Sequence, residues 1–238
     1  MLSRQTRDEV AADADTITEL AFTLERFADL FTARVDEIVE TMFAANLGGA
    51  SRDTHVVELP FAYAAAENLP TGAEVATLTE GPGPLPVALA SLGMRVTALA
   101  APDLPPRHPA LTVVEEPVER WSGPAHPLHA IFALSAVAGF GLDRDKPVDD
   151  LDRQVVDLFR KWLRPDGLLV LTLPFGEWSV GRRSRTYDDH HVGELLADWE
   201  IRERRTVERI DDHIWRLVEP GGAHSRRGMV LIRATPRL

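Results

Sequence analysis

Val75-Ala-Thr-Leu-Thr-Glu-Gly-Pro-Gly-Pro-Leu-Pro-Val-Ala-Leu-Ala-Ser-Leu-Gly-Met-Arg-Val-Thr-Ala-Leu99 is the stretch that decides the fold. Val75 to Thr79 is apolar or β-branched and reads as a strand, Glu80 to Gly83 as a glycine turn, Leu85 to Leu92 as a helix, and Arg95 to Leu99 as a second strand. Gly93 follows the last helical position, where a residue that accepts positive φ stops a helix. Two strands joined through a helix run parallel.

The same alternation continues toward the C-terminus. Strands are predicted near Glu74–Leu78, Arg95–Leu99, Leu111–Val114, His129–Leu134 and Leu168–Thr172, with a further pair over Trp199–Arg209 and Met229–Ala234. Helices fit Leu85–Leu92, Leu151–Leu163 and His190–Leu196, and a short one fits Leu59–Leu69. Arg164-Pro-Asp-Gly167 reads as a turn, because Pro165 cannot continue a helix and Gly167 accepts positive φ. This order predicts an α/β, Rossmann-like domain over residues 51–238, its sheet mostly parallel with an antiparallel end.

Residues 1–50 read differently. Ile17, Ala21, Leu24, Ala28, Phe31, Val35, Ile38 and Met42 recur at helical spacing without proline or glycine between Thr16 and Asn46. The pattern predicts one long N-terminal helix that needs a partner: its own domain, a pocket that it covers as a lid, or a second copy in a homodimer through residues 16–46.

Bulk properties remove several classes of function. A net charge of -11 opposes nucleic-acid binding, and 45% apolar with 26% charged residues suits a soluble globular chain rather than a membrane span. With no cysteine there is no disulfide, thiolate metal site or thiol nucleophile. The first residues, Met-Leu-Ser-Arg-Gln-Thr-Arg-Asp-Glu, lack a signal-peptide apolar core, so the expected location is the cytoplasm.

Glu74-Val-Ala-Thr-Leu-Thr-Glu-Gly-Pro-Gly83, Ala88-Leu-Ala-Ser-Leu-Gly-Met-Arg-Val-Thr97 and Phe159-Arg-Lys-Trp-Leu-Arg-Pro-Asp-Gly-Leu-Leu-Val-Leu-Thr-Leu-Pro174 together resemble the class I S-adenosylmethionine-dependent methyltransferases. Leu59-Pro-Phe-Ala-Tyr63, Ala133-Leu-Ser-Ala-Val-Ala-Gly-Phe-Gly-Leu142 and Arg185-Thr-Tyr-Asp188 resemble the branch that serves saccharide and secondary-metabolite pathways. The likeness covers roughly Leu59 to Leu238. It implies S-adenosylmethionine as cofactor and a small polar molecule as methyl acceptor: a saccharide, a nucleotide sugar or a secondary metabolite. It also places Glu80, Gly81 and Gly83 at the cofactor turn, Ala100 and Asp103 after the second strand, Glu116 near the adenine amine, and Ser135 after the fourth strand.

The cofactor motif is degenerate. Pro82, Pro84 and Pro86 supply no amide hydrogen, Leu85 stands where a third glycine is common, and the second strand ends on Leu99-Ala100 without the carboxylate that receives ribose hydroxyls. Asp103 lies about three residues late, roughly 10 Å of extended chain. After the fourth strand the branch's acidic-histidine pair appears as Ala138-Gly139, and His129 replaces an aspartate at that strand's start. Two alternatives therefore stay open: a methyltransferase-like partner module with an eroded site, and an enzyme of another reaction on the same fold.

Methyl transfer is an in-line displacement that needs a base only when the acceptor carries a proton. Glu177, after the fifth strand, and His190, at a helix start, are the candidates for that role. His190 and His191 are adjacent and point apart on a helix, with Asp188 and Asp189 suited to capping it, so no metal site is expected. Arg182, Arg183 and Arg185 with Tyr187 form a dense basic segment suited to a phosphate or carboxylate of the acceptor.

Overall fold

The structure, a computed structural model, describes residues 54–79, 84–99, 108–142, 150–210, 215–218 and 228–237. All belong to the unit that runs from Ser51 to Leu238. The predicted N-terminal helix and its pairing lie outside the described residues.

Ten strands are described: β1 (Glu74–Thr79), β2 (Arg95–Leu99), β3 (Leu111–Val114), β4 (Leu128–Leu134), β5 (Leu163–Phe175), β6 (Ser179–Val180), β7 (Arg185–Thr186), β8 (Trp199–Arg209), β9 (Trp215–Val218) and β10 (Gly228–Pro236). Four helices accompany them: α1 (His55–Ala66), α2 (Leu85–Ser91), α3 (Leu151–Trp162) and α4 (Asp189–Leu195). Eight strands form one sheet in the order β3-β2-β1-β4-β5-β10-β8-β9, while β6 and β7 make a separate small ribbon. Strands β1 to β5 pair in parallel, and β10 is antiparallel to both β5 and β8.

The central strands are buried on both faces, so their residues divide between two cores. Val75, Phe132, Leu134 and Val170 face α1 and α2 with Phe61, Leu85 and Leu89. Ala76, Leu78, Ile131, Ala133 and Leu171 face α3 and α4 with Val155, Phe159, Val192 and Leu195. A parallel sheet requires this cover, because each crossover lays its helix on one face or the other. Helix α1 is fastened to the far strands by Arg233, which donates to the Phe61 carbonyl at 3.0 Å and lies 4.7 Å over the Phe61 ring.

Most elements fall where their periodicity places them, and three departures have physical causes. Helix α1 begins at His55, closed by the Val57 and Glu58 amides on the Thr54 carbonyl, and ends at Ala66. The predicted Arg164–Gly167 turn is instead an irregularity inside β5: register runs from Leu128↔Leu163 to Ala130↔Leu168, so the extra residues are absorbed in the strand. Gly167 is required there by closeness and not by positive φ, since a Cβ would lie 2.9 Å from the Arg164 carbonyl oxygen. The β6–β7 ribbon and β9 carry too few alternating residues to be read from sequence. His129 accepts the Glu74 amide at 3.1 Å and so ties the amino ends of β4 and β1, away from the ligand edge. Among the described residues no helix is long and apolar enough to cross a membrane.

Two glycines should respond in opposite directions to alanine. Gly167→Ala forces the Arg164 backbone to move and is expected to destabilise by about 1–3 kcal/mol. Gly193→Ala, on α4 with nothing within 4 Å of the added carbon, is expected to stabilise by about 0.5–1 kcal/mol. Urea unfolding of both variants checks the pair; equal midpoints would contradict the β5 irregularity.

Candidate functional site

The crossover from β1 to β2 lays α2 on one face of the sheet, whereas that from β4 to β5 lays α3 on the other. The two connections leave the sheet in opposite directions, which opens a crevice outside the carboxyl ends of β1 and β4. Thr79, Leu134 and Thr172 form the last common rung of β1, β4 and β5 at this edge.

Just beyond that rung lies Ser135, a non-glycine residue at φ 52. Its amide donates to Thr172 Oγ1 at 2.8 Å and its hydroxyl donates to Glu58 Oε1 at 2.7 Å. Thr172 Oγ1 donates to the same carboxylate oxygen, and Thr54 Oγ1 donates to Glu58 Oε2 at 2.8 Å. Glu58, from the first turn of α1, is only 1% exposed. Sequence reasoning passed over Glu58 because a single acid in a helical turn looks like a surface residue; nothing local announces the hydroxyls that reach it.

Of the residues expected to hold the cofactor, Ser135 stands at this edge with its hydroxyl committed to Glu58, and Glu116 lies exposed beyond β3 beside exposed Glu115. Glu80, Gly81, Gly83, Ala100 and Asp103 lie outside the described residues, as does His213.

A second concavity, of about 590 Å³, opens on the α3–α4 side of the sheet. It is lined by the start of α3, the β6–β7 ribbon and α4, with Asp150, Arg153, Trp178, Arg182, Tyr187 and Glu194 among its walls. The ribbon is pinned to the carboxyl end of β5, because the Tyr187 amide donates to the Pro174 carbonyl at 2.9 Å and the Gly176 amide to the Tyr187 carbonyl at 2.8 Å. The cavity therefore shares the sheet edge with the crevice.

The basic segment divides in two. Arg185 is buried, donates to the Phe140 carbonyl at 2.5 Å and lies 3.6 Å from Asp152, which also accepts from the Tyr187 hydroxyl at 2.6 Å. Those two side chains build the wall. Arg182 and Arg183 are exposed, and Arg182 lines the cavity, which Asp150, Asp152 and Glu194 also line, without an ion pair of its own among the described residues.

Asp188 caps α4 by accepting the His191 amide at 2.9 Å and the His191 ring nitrogen at 2.7 Å. Those two bonds, the amide first, hold its carboxyl below the usual carboxylate range. His191 is stacked on Trp178, 3.7 Å between ring centroids. His190 is exposed, 3.6 Å from Glu194, and its ring lies 5.2 Å from that of His191, so the adjacent histidines stay near each other. Glu177 follows β5 and is also exposed. Among the described residues no cluster of histidine and acidic side chains suits a metal ion.

Both tyrosines of the chain are shifted. Burial raises Tyr63, and for Tyr187 burial is joined by the Asp152 charge and hydrogen bond, with Arg185 opposing. The folded protein should show no phenolate near the ordinary pKa of about 10. Because the unfolded chain then releases protons that the folded chain keeps, stability from both groups is complete below that pH and falls as pH rises through it. Phenolate absorbance appearing near pH 10 with unchanged circular dichroism would contradict this.

No protein-family model matches the sequence, and no curated protein matches it. Solved structures do. The chain is similar to 1,6-didemethyltoxoflavin-N1-methyltransferase from Burkholderia thailandensis, a structure with bound 1,6-didemethyltoxoflavin and S-adenosylhomocysteine, at TM-score 0.54 and 19% identity over 88% of this chain and 89% of that one. It is similar to the N-methyltransferase NodS from Bradyrhizobium japonicum WM9 at TM-score 0.51 and 17% identity, over 79% of this chain and 96% of that one. The CcbJ methyltransferase from Streptomyces caelestis matches at TM-score 0.51 and 15% identity, over 80% and 92% of the two chains. What the chain shares with these proteins at such identities is architecture: it has the Rossmann-like fold of S-adenosylmethionine-dependent methyltransferases.

Proposed function

We propose that this chain binds S-adenosylmethionine in the crevice outside β1 and β4 and transfers its methyl group to a small-molecule acceptor. The observation that carries the reading is the divergence of crossovers at the Thr79–Leu134–Thr172 rung, on a fold shared with methyltransferases over most of the chain. The residues present fit an adenosyl group. Exposed Glu115 and Glu116 beyond β3 are hydrogen-bond acceptors without a hydrogen-bond partner among the described residues, as an adenine amine requires. In this reading Glu80, Gly81 and Gly83, which follow β1 in sequence, and Ala100 and Asp103, which follow β2, are the further residues assigned to the donor. The bound group would supply an activated methyl; the chain's part is to hold donor and acceptor in line.

The concavity on the α3–α4 side is the acceptor's place in this reading. Arg182, and Arg183 beside it, offer guanidinium groups to a phosphate or carboxylate in a chain of net charge -11, so a nucleotide sugar or acidic saccharide suits the site. Tyr187 and Arg185 hold the ribbon that presents them. Glu177 and His190 are the exposed groups at this edge able to take a proton from the acceptor.

Thermal-shift titration with S-adenosylmethionine and S-adenosylhomocysteine tests the first half. A ligand at a hundred times its Kd should stabilise the protein by about 2.7 kcal/mol. No shift with either would favour a partner module with a retired site. If both bind, mass spectrometry of candidate acceptors should show the gain of one methyl group, and Arg182→Ala should weaken an anionic acceptor by about 1–3 kcal/mol while leaving donor affinity unchanged.

A further inference from the structure

We propose that His191 is the general base of this protein: Asp188 holds one nitrogen of its ring, and the other, Nε2, takes the proton that the acceptor loses on methylation. The proposal rests on the methyl-transfer reading above and narrows the choice of base to a residue that the cavity itself contains. His191 is among the side chains that wall the cavity, whereas Glu177 and His190 are not.

The bonds of the ring fix which nitrogen is available. Asp188 Oδ1 accepts the His191 amide at 2.9 Å and meets His191 Nδ1 at 2.7 Å. Those contacts keep the Asp188 carboxyl below the usual carboxylate range, so near neutral pH it is ionised and can only accept. Nδ1 therefore carries a proton. In the neutral imidazole the second nitrogen then has a bare lone pair, since the bond made by one ring nitrogen sets the tautomer of the other. Nε2 makes no hydrogen bond among the described residues. The other acids close to this wall are engaged elsewhere, Asp152 with Arg185 and Tyr187, and Glu194 with Arg153 and His190.

The ring is also held in place from its face. It lies parallel to Trp178 at 3.7 Å, Trp178 meets Tyr187 edge-on at 5.7 Å, and the Tyr187 hydroxyl is bonded to Asp152 of α3. Tyr187, whose amide is pinned to the carboxyl end of β5, immediately precedes Asp188, so the dyad starts from the sheet edge that the cavity shares with the crevice. In the transfer an acceptor lone pair forms the bond to the methyl carbon, the carbon–sulfur electron pair stays with the leaving thioether, and the acceptor's proton passes to Nε2. The resulting imidazolium is balanced by Asp188 and returns its proton to water. Asp188 is a positioning residue in this scheme, and the acceptor is a molecule with a proton to lose, a hydroxyl or a protonated amine.

Nitrogen NMR of the isotope-labelled free protein is the first test and needs no acceptor. With the ring neutral, His191 should carry its proton on Nδ1 and none on Nε2. Asp188→Ser, which keeps a helix-capping oxygen and removes the carboxylate, should populate both tautomers. A wild-type proton on Nε2, or a ring indifferent to Asp188→Ser, overturns the inference. His191→Phe is the second test, because phenylalanine keeps the stack on Trp178 and the amide that Asp188 accepts while removing both nitrogens. With UDP-glucose, UDP-glucuronate and dTDP-glucose as probe acceptors, its rate of methyl transfer should fall about a hundredfold, and its affinity for S-adenosylmethionine, read by calorimetry, should stay unchanged. An undiminished rate overturns the inference while the function proposal stands; wild-type protein that does not bind S-adenosylmethionine overturns both. If none of the three sugars is methylated, or the phenylalanine variant does not fold, the NMR comparison of wild type with Asp188→Ser carries the decision.

Discussion

The rest of the molecule depends on the burial of both faces of β1, β4 and β5. Every residue of β4 except half-buried His129 is inaccessible, and the middle of β5 is equally dry. Strands of that kind leave backbone polar groups no partner but each other and side chains no neighbour but helices, so the crossovers must cover both faces. Covering both faces makes the connections diverge between β1 and β4. The crevice is thus a geometric result of where apolar side chains go, and its position owes nothing to the residues that line it.

Among the described residues two acids are buried, one on each face of the sheet, and they are handled differently. Asp152 meets a guanidinium and a phenol, an arrangement that anchors the β6–β7 ribbon against α3 and shapes the cavity beside it. Among the described residues Glu58 meets only hydroxyls. A buried ion pair is internally balanced and stays so whether or not anything binds. The first anchors the ribbon; the second ties the residue after β4 and the end of β5 to the first turn of α1.

Much of the architecture was legible in the chain. Leu111–Val114 is apolar or β-branched throughout, and Leu151, Val155, Phe159 and Trp162 trace a helical face, so local periodicity alone places β3 and α3. The Arg164–Gly167 segment was misread because proline and glycine mark a turn locally, while neighbouring strands can absorb extra residues without ending the ladder. What the order of residues determined by itself was the alternation of elements, hence the sheet and its ligand edge, because apolar periodicity depends only on neighbours along the chain. Tertiary structure alone decided that Arg185 builds a wall while Arg182 stays open, that His191 rests on Trp178, and that Glu58, 77 residues from Ser135 and 114 from Thr172, is buried with them. Burial and charge balance are properties of what surrounds a group in space, and no window of sequence contains them.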